Sequence, residues 1–517
     1  MRLLSRFIIG WLLIVSLSAT AMADTSELWG KAGEKWTPKS RLPDFSYAGY
    51  RGGERPIPDL PVKCSVKDFG AVGDGVADDT TAFLKAIKAV REGTILIPAG
   101  RYRITEMLRI RKGGIVLKGE GVDSTVLYFS KSLTQAVGPG KDHAPDGDWS
   151  WSGGFISFEG WDEGRLLTAI TSPARRGDNS VRVSDMRSLE PGDWVRVVLT
   201  DDSGGSLGRH LHADQKEASK SSRGHKIVDF ASPIDFIDGS RVILKRPLRT
   251  DVRLAWKPAL YAQQPSVQDV GIEDLTLEFP KTRYVGHHEE PGYNAVSFVG
   301  VSNGWARRLR IINADSGIFL TNGTKFCTVE SIQFSATLGR LRKGYGRDPG
   351  EPAGVFVGGH HGILAMDMAQ DNLITNFQMN FRFIHDIGVS VWAAGNVFSV
   401  GRGIDMDFDH HRRGSYENLF TQIQVGEGSR LWESGGDEEA GPPSGARETF
   451  WNIQADHPQA LCPWGIQGNF VGITTTLPTE QLKDGNWWEA MAPDRLEPPN
   501  LYLAQCANRS ASPGSTR

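Results

Sequence analysis

The chain has 517 residues, 39% hydrophobic and 23% charged, the balance of a folded protein rather than a disordered one. Its formal net charge of −3 argues against nucleic acid as the main partner, because a phosphate backbone calls for a basic surface. Sixty glycines point to the many tight turns of all-β or solenoid folds.

The first 23 residues read as an export signal. Arg2 and Arg6 precede the apolar run 7–15, and Ala21-Met22-Ala23 forms a small-residue cleavage site, so the mature chain is expected to start at Asp24. The run is too short to span a bilayer comfortably, and no later segment is apolar enough to do so. The expectation is a periplasmic or extracellular protein with no membrane span after cleavage. Residues 24–62, rich in Pro, Gly, Trp and charge, read as an extended lead-in. Over 66–83 the glycines mark turns, and Asp78-Asp79-Thr80 is placed to cap a helix over 80–91. Short strands follow at Thr94–Pro98, Arg101–Ile104 and Ile115–Gly119.

Residues 160–255 interrupt this pattern. Gly192–Val198 and Gly239–Leu244 read as hairpin strands around a polar loop, 201–225, and predict a small inserted β-domain. Beyond it a short period emerges. Asn372-Leu373-Ile374 recurs at Asn396-Val397-Phe398 and again at Asn418-Leu419-Phe420, at spacings of 24 and 22 residues (396 − 372 and 418 − 396). Ala306–Ile311 recurs at Val329–Phe334, 23 residues on (329 − 306). Coils of that length with alternating apolar residues suit a parallel β-helix, each coil stacking on the next at about 4.8 Å. The expected divisions are 1–23 signal, 24–62 lead-in, 63–159 cap and first coils, 160–255 insertion, 256–475 main coils and 476–517 C-terminal tail. Four cysteines, Cys64, Cys327, Cys462 and Cys506, permit two disulfides in an exported protein. Cys462 with Cys506 is the preferred pair, as a staple for the tail, and buried free thiols are the alternative.

The run VKDFGAVGDGVADDTTAF, followed by ILIPAGRYRI and IVLKGEG, resembles the N-terminal entry of the pectate-lyase-like superfamily. The resemblance covers about residues 62–130. It implies an all-β, right-handed parallel β-helix with an N-terminal capping helix, and a polysaccharide as partner. Hydrolases, lyases, epimerases and phage tailspikes share this entry, so it does not select a reaction. The segments DHHRRGSYENLF and 428–453 resemble a subgroup of bacterial and fungal β-helix proteins, which marks that region as a site without naming a substrate.

The richest candidate segment is Gly403–Arg413. As one strand, it would turn Ile404, Met406 and Phe408 into the core and Asp405, Asp407 and Asp409 outward, about 7 Å apart. Such a ledge suits inverting glycoside hydrolysis, which holds an acid and a base carboxylate about 6.5–9.5 Å apart. The runner-up is a lyase or epimerase acting on uronic-acid glycans, with His or Arg taking the proton. A non-catalytic glycan-binding or adhesin solenoid is the other class. His410, at the strand end, joins the three aspartates as catalytic candidate. His360 and His361, flanked by glycines, are read as exposed substrate contacts. Arg412, Arg413 and Arg447 suit an acidic sugar through forked hydrogen bonds, and Trp432 and Trp451 are candidates for sugar stacking. No metal ligand is assigned, since adjacent histidines on a strand face opposite sides. A hydrolase requires no cofactor; for a lyase, calcium is a candidate. Monomer and homotrimer both remain compatible.

Overall fold

The structure is a computed structural model describing residues 23–141, 148–162, 164–344, 346, 353–478 and 482–511. The expected export signal thus lies, but for Ala23, outside the described residues.

The short sequence period builds a parallel β-solenoid. Its strands fall into two parallel sheets, one of fifteen strands and one of seven. In the larger sheet each long strand bends at a residue in the left-handed region. Ser331, Asn376, Val400 and Gln422 take φ of 57°, 52°, 51° and 56° at equivalent places in successive coils. One strand therefore serves two faces of the coil. A branched residue such as Val400 is costly there, and the stacking of neighbouring coils compels it.

Apolar positions one coil apart lie in register. Ile374 pairs with Phe398, Phe398 with Phe420, Phe420 with Phe450 and Phe450 with Phe470. The resulting column of rings has centroids 4.9–5.2 Å apart, the spacing of stacked strands. The asparagine period forms a ladder beside it. The side chain of Asn372 donates to Asn396 Oδ1 (2.8 Å), that of Asn396 to Asn418 Oδ1 (3.0 Å), and that of Asn418 to Glu448 Oε1 (2.9 Å). All four residues are buried, so these bonds satisfy amides that water cannot reach.

The first coil is covered by the helix Thr80–Ala89, which buries Ala82, Phe83, Ala86 and Ile87. Its N-cap residue Asp79 makes no side-chain cap bond. The Asp79 carboxylate instead accepts from Val72 N (2.6 Å) and Gly73 N (3.1 Å), fastening the glycine turn. The lead-in and the C-terminal helix Leu501–Ala511 pack together on the larger sheet, with Trp29, Leu42, Phe45, Trp451, Leu501 and Tyr502 in one cluster. Coil pairing continues to Trp487–Glu489, past residue 475.

The interruption is a six-stranded sheet running from Leu166–Ala169 to Ala259–Ala262, with antiparallel pairings throughout. Buried ion pairs fasten it to the solenoid. Arg246 and Arg249 reach Asp371 Oδ1 (2.9 and 2.6 Å), and Arg176 reaches Glu417 (2.7 Å). No helix among the described residues is long and apolar enough to cross a membrane. The preferred disulfide does not form, as all four cysteines are free. Cys462 belongs to the solenoid core, whereas Cys506 packs with the lead-in cluster, its thiol on Ser46 O.

Candidate functional site

The segment 403–413 is not one strand. The strand Val397–Gly403 ends in the larger sheet, the chain turns a corner, and Phe408–His410 begins in the seven-stranded sheet. The corner turns Ile404 out to 46% exposure, while Met406 and Phe408 enter the core as expected. The three aspartates are not a solvated ledge. Asp405, Asp407 and Asp409 are 1%, 1% and 0% exposed. The loop after the strand Leu419–Gly426 folds over them, and sequence periodicity contains no information on that cover.

Each aspartate has its own partners. Asp405 accepts from Ser429 N and Oγ (both 2.8 Å) and from Arg382 Nε (3.1 Å), a structural role. Asp407 and Asp386 exchange backbone bonds: Asp386 N donates to Asp407 Oδ1 (2.7 Å) and Asp407 N to Asp386 Oδ2 (3.2 Å). Arg430 pairs with Asp386 and lies 3.6 Å from Asp407. Asp409 accepts from Gly435 N (2.9 Å) and His411 Nδ1 (2.9 Å), and stands 3.5 Å from His385 Nδ1. The expected parting of adjacent histidines holds at 410–411. His410 turns into the core against Phe420, Phe450 and Trp464, which removes it from the catalytic candidates, and His411 turns to the site.

His411 is one of six histidines gathered here from a total of twelve. His360 and His361 stack at 4.0 Å, His287 and His288 at 3.8 Å, and His361 and His385 at 5.1 Å. His361 and His385 are register partners on adjacent strands. His360 lies just before its strand, outside the alternation, so the doublet shares one side. Both are buried, at 0% and 1% exposure, contrary to the exposed contacts expected of them. Trp151, half-buried, sets its ring 4.3 Å from His411 and 4.5 Å from His361. Beneath the cluster, Glu290 accepts from Ser150 Oγ and Tyr284 OH and lies 3.2 Å from His360 Nδ1.

Burial lowers the pKa of His287, His360, His361, His385 and His411 and so favours their neutral forms, in most cases reinforced by the neighbouring imidazoles, while Asp409 opposes it at His385 and His411. Burial pushes Glu290 up to about 7, against its hydrogen bonds, and raises Asp386 and Asp407 against the pull of Arg430. Asp409 goes the other way: burial opposes its charge, but His385 and His411 outweigh it and hold the carboxyl far below the usual range. The Nε2 atoms of His360 and His385 are buried without a hydrogen bond. Leaving a buried polar atom unsatisfied costs about 1–3 kcal/mol. One ring nitrogen each of His287, His360 and His385 lies within 4.8 Å of the others, and the same holds for one ligand atom each of His385, Asp409 and His411.

The remaining candidates, Arg413 apart, are held by contacts within the scaffold. Arg412 donates to Gly436 O (2.9 Å) and Gly441 O (2.6 Å), pinning the covering loop, and Arg413 is exposed. Arg447 pairs with Glu417 (2.6 Å) at the inserted domain. Trp451 is fully buried with Nε1 on Pro498 O, and Trp432 packs edge-on against Phe450 and Phe470. Sequence reasoning missed His287, His288, Glu290, Trp151 and Arg430. A signal existed in the three His-His doublets at 287, 360 and 410. A separate groove of about 530 Å³ runs over the left-handed corners, lined by Gln333, Asn376, Gln378, Arg402, Gln424 and Gln454.

Residues 64–158 match the family described as rhamnogalacturonase A/epimerase, pectate lyase-like. Mannuronan C5-epimerase AlgE1 of Azotobacter vinelandii is 40% identical over 82 residues, 14% of this chain and 6% of that protein. Plasmin and fibronectin-binding protein A of Streptococcus pneumoniae is 32% identical over 109 residues, 19% of this chain and 15% of that protein. The matches thus span less than a sixth of either relative. The tailspike protein gp49 of Pseudomonas phage LKA1 superposes with a TM-score of 0.49 at 13% identity, over 80% of this chain and 64% of that one. The chain is a parallel β-helix, and the match over its first coils supports a place in the pectate-lyase-like superfamily.

Proposed function

We propose that the protein is a polysaccharide-active enzyme that abstracts a proton from a uronic-acid residue, as a lyase or an epimerase. The observation that carries this reading is the His411–Asp409 dyad. Asp409 is ionised and can only accept, so His411 Nδ1 carries the proton and donates to Oδ2 at 2.9 Å. Nε2 of a neutral, partly exposed imidazole is then the base. Trp151 beside it offers a flat face for a sugar ring. His411 takes the proton α to the sugar carboxyl. Return of a proton to the opposite face gives the epimer; departure of the 4-linked oxygen gives an unsaturated sugar and a cleaved chain. Mannuronan C5-epimerases and an alginate lyase of Azotobacter vinelandii among the relatives are in keeping with this class.

The hydrolytic reading no longer has the exposed carboxylate pair on which it rested, since Asp405 and Asp407 are engaged in buried bonds. The test is incubation with uronic-acid, neutral and sulfated polysaccharides in D2O. Ultraviolet absorbance of an unsaturated uronate, or deuterium entering the α position, is the expected result. New reducing ends with neither signal would replace it with hydrolysis, and silence on every glycan would favour a binding solenoid.

A further inference from the structure

We propose that the imidazole cluster is a transition-metal site, holding one divalent ion of the zinc class through ring nitrogens of His287, His360 and His385, with an open coordination position on the side of Trp151 and His411. Three nitrogens within 4.8 Å of one another supply the donor set. A tetrahedral zinc ion, with bonds of about 2.0–2.1 Å, needs them about 3.4 Å apart, so binding would draw the three rings closer together.

The surroundings orient the rings for this task. His360 Nδ1 faces Glu290 Oε1 at 3.2 Å, and His385 Nδ1 faces Asp407 and Asp409 at 3.6 and 3.5 Å. A carboxylate behind each of these two imidazoles is the arrangement that orients a metal-bound histidine. It leaves Nε2 of His360 and His385 for the ion; neither ring nitrogen of either residue makes a hydrogen bond within the protein. Packing alone gives no reason to leave the ring nitrogens of His360 and His385 unsatisfied side by side. His385 is shared with the Asp409–His411 pair, whose own hydrogen bond is already made, so that pair forms the outer layer. Neutral nitrogen donors select zinc-like ions, whereas calcium takes six to eight oxygens. The inference deepens the proton-abstraction reading, because the open position would seat the substrate carboxylate; the ligand geometry stands without it.

The full-length protein, stripped with a chelator and desalted, is titrated with zinc chloride alone, and its metal content is measured. About one zinc per chain is expected. Affinity falls at least tenfold in His360→Gln and in His385→Gln, and stays unchanged in His457→Gln, an exposed position. Cobalt(II) added to the unsubstituted protein gives the visible bands of tetrahedral coordination, a readout that does not depend on the variants folding. Folded protein that retains no zinc and gives no cobalt bands overturns the proposal, as does binding indifferent to both substitutions. Zinc binding without glycan chemistry upholds the site and removes the proton-abstraction reading. Glycan conversion by protein that binds no zinc does the reverse.

Discussion

Arg430 is the tie that closes the covering loop over the site, and its replacement by methionine tests that role. The guanidinium is 3% exposed and donates to Asp405 O (3.0 Å), Ile384 O (2.9 Å) and Phe383 O (2.9 Å), besides pairing with Asp386. Methionine fills nearly the same length without a donor, so no large cavity confuses the result. Three buried carbonyls lose their bonds at about 1 kcal/mol each. Asp386 also loses its counterion, but burial already raises its pKa against the pull of Arg430, so the carboxyl takes up a proton and the ionic loss stays small beside the carbonyl part. Together, about 3–4 kcal/mol is a large share of the roughly 5–15 kcal/mol that holds a domain folded. Adding Asp386→Asn to Arg430→Met removes the carboxyl that would otherwise have to take up a proton and returns at most about 1 kcal/mol, leaving the carbonyl part. Urea unfolding followed by tryptophan fluorescence measures all three variants. A loss below about 2 kcal/mol in Arg430→Met refutes the reasoning, and so does further destabilisation by Asp386→Asn in that background.

Other expectations follow from the same contacts. Asp409→Asn keeps an acceptor for Gly435 but loses the charge behind His411, so turnover falls about tenfold or more while the circular dichroism spectrum is unchanged; undiminished turnover separates Asp409 from the chemistry. Asn396→Ala cuts the ladder and strands Asn372 N and Ala369 O, which costs about 2–4 kcal/mol by urea midpoint. Burial opposes the charges of Asp371 and Glu417, but their arginines outweigh it and hold both carboxyls below the ordinary value. Their contribution is therefore complete above the unfolded carboxylate pKa of about 4 and is lost as pH falls below it. Hydrogen exchange in the inserted sheet is expected to quicken there before exchange in the coils does. Gln378→Ala with Gln424→Ala weakens glycan retention on affinity gels and leaves turnover at saturating substrate alone, if the amide-lined groove carries chain remote from the reacting sugar.

The solenoid was legible because it is built from local rules repeated once per coil. Apolar alternation places Ile374, Phe398 and Phe420 inward, and the asparagines 24 and 22 residues apart become a hydrogen-bonded ladder because each coil returns the chain to the same azimuth. Those features are a periodicity in one dimension, and one sequence suffices to see it. The site was legible only as a region. Asp409 and His411 do face it, but Asp405 and Asp407 turn inward to buried partners, because a corner at 404–407 and a loop from the next coil intervene. Neither follows from alternation, which presumes an uninterrupted strand and says nothing of what covers it.

What the sequence alone determined was the coil, its period and the pairing of neighbours within it. Tertiary structure alone decided that His287, His360, His385 and His411, separated by up to 124 residues (411 − 287), meet in one cluster of rings. Stacking at about 4.8 Å brings together whatever side chains stand at the same place in successive coils. The loops joining those coils differ in length, so the meeting of these histidines has no fixed spacing for the sequence to display.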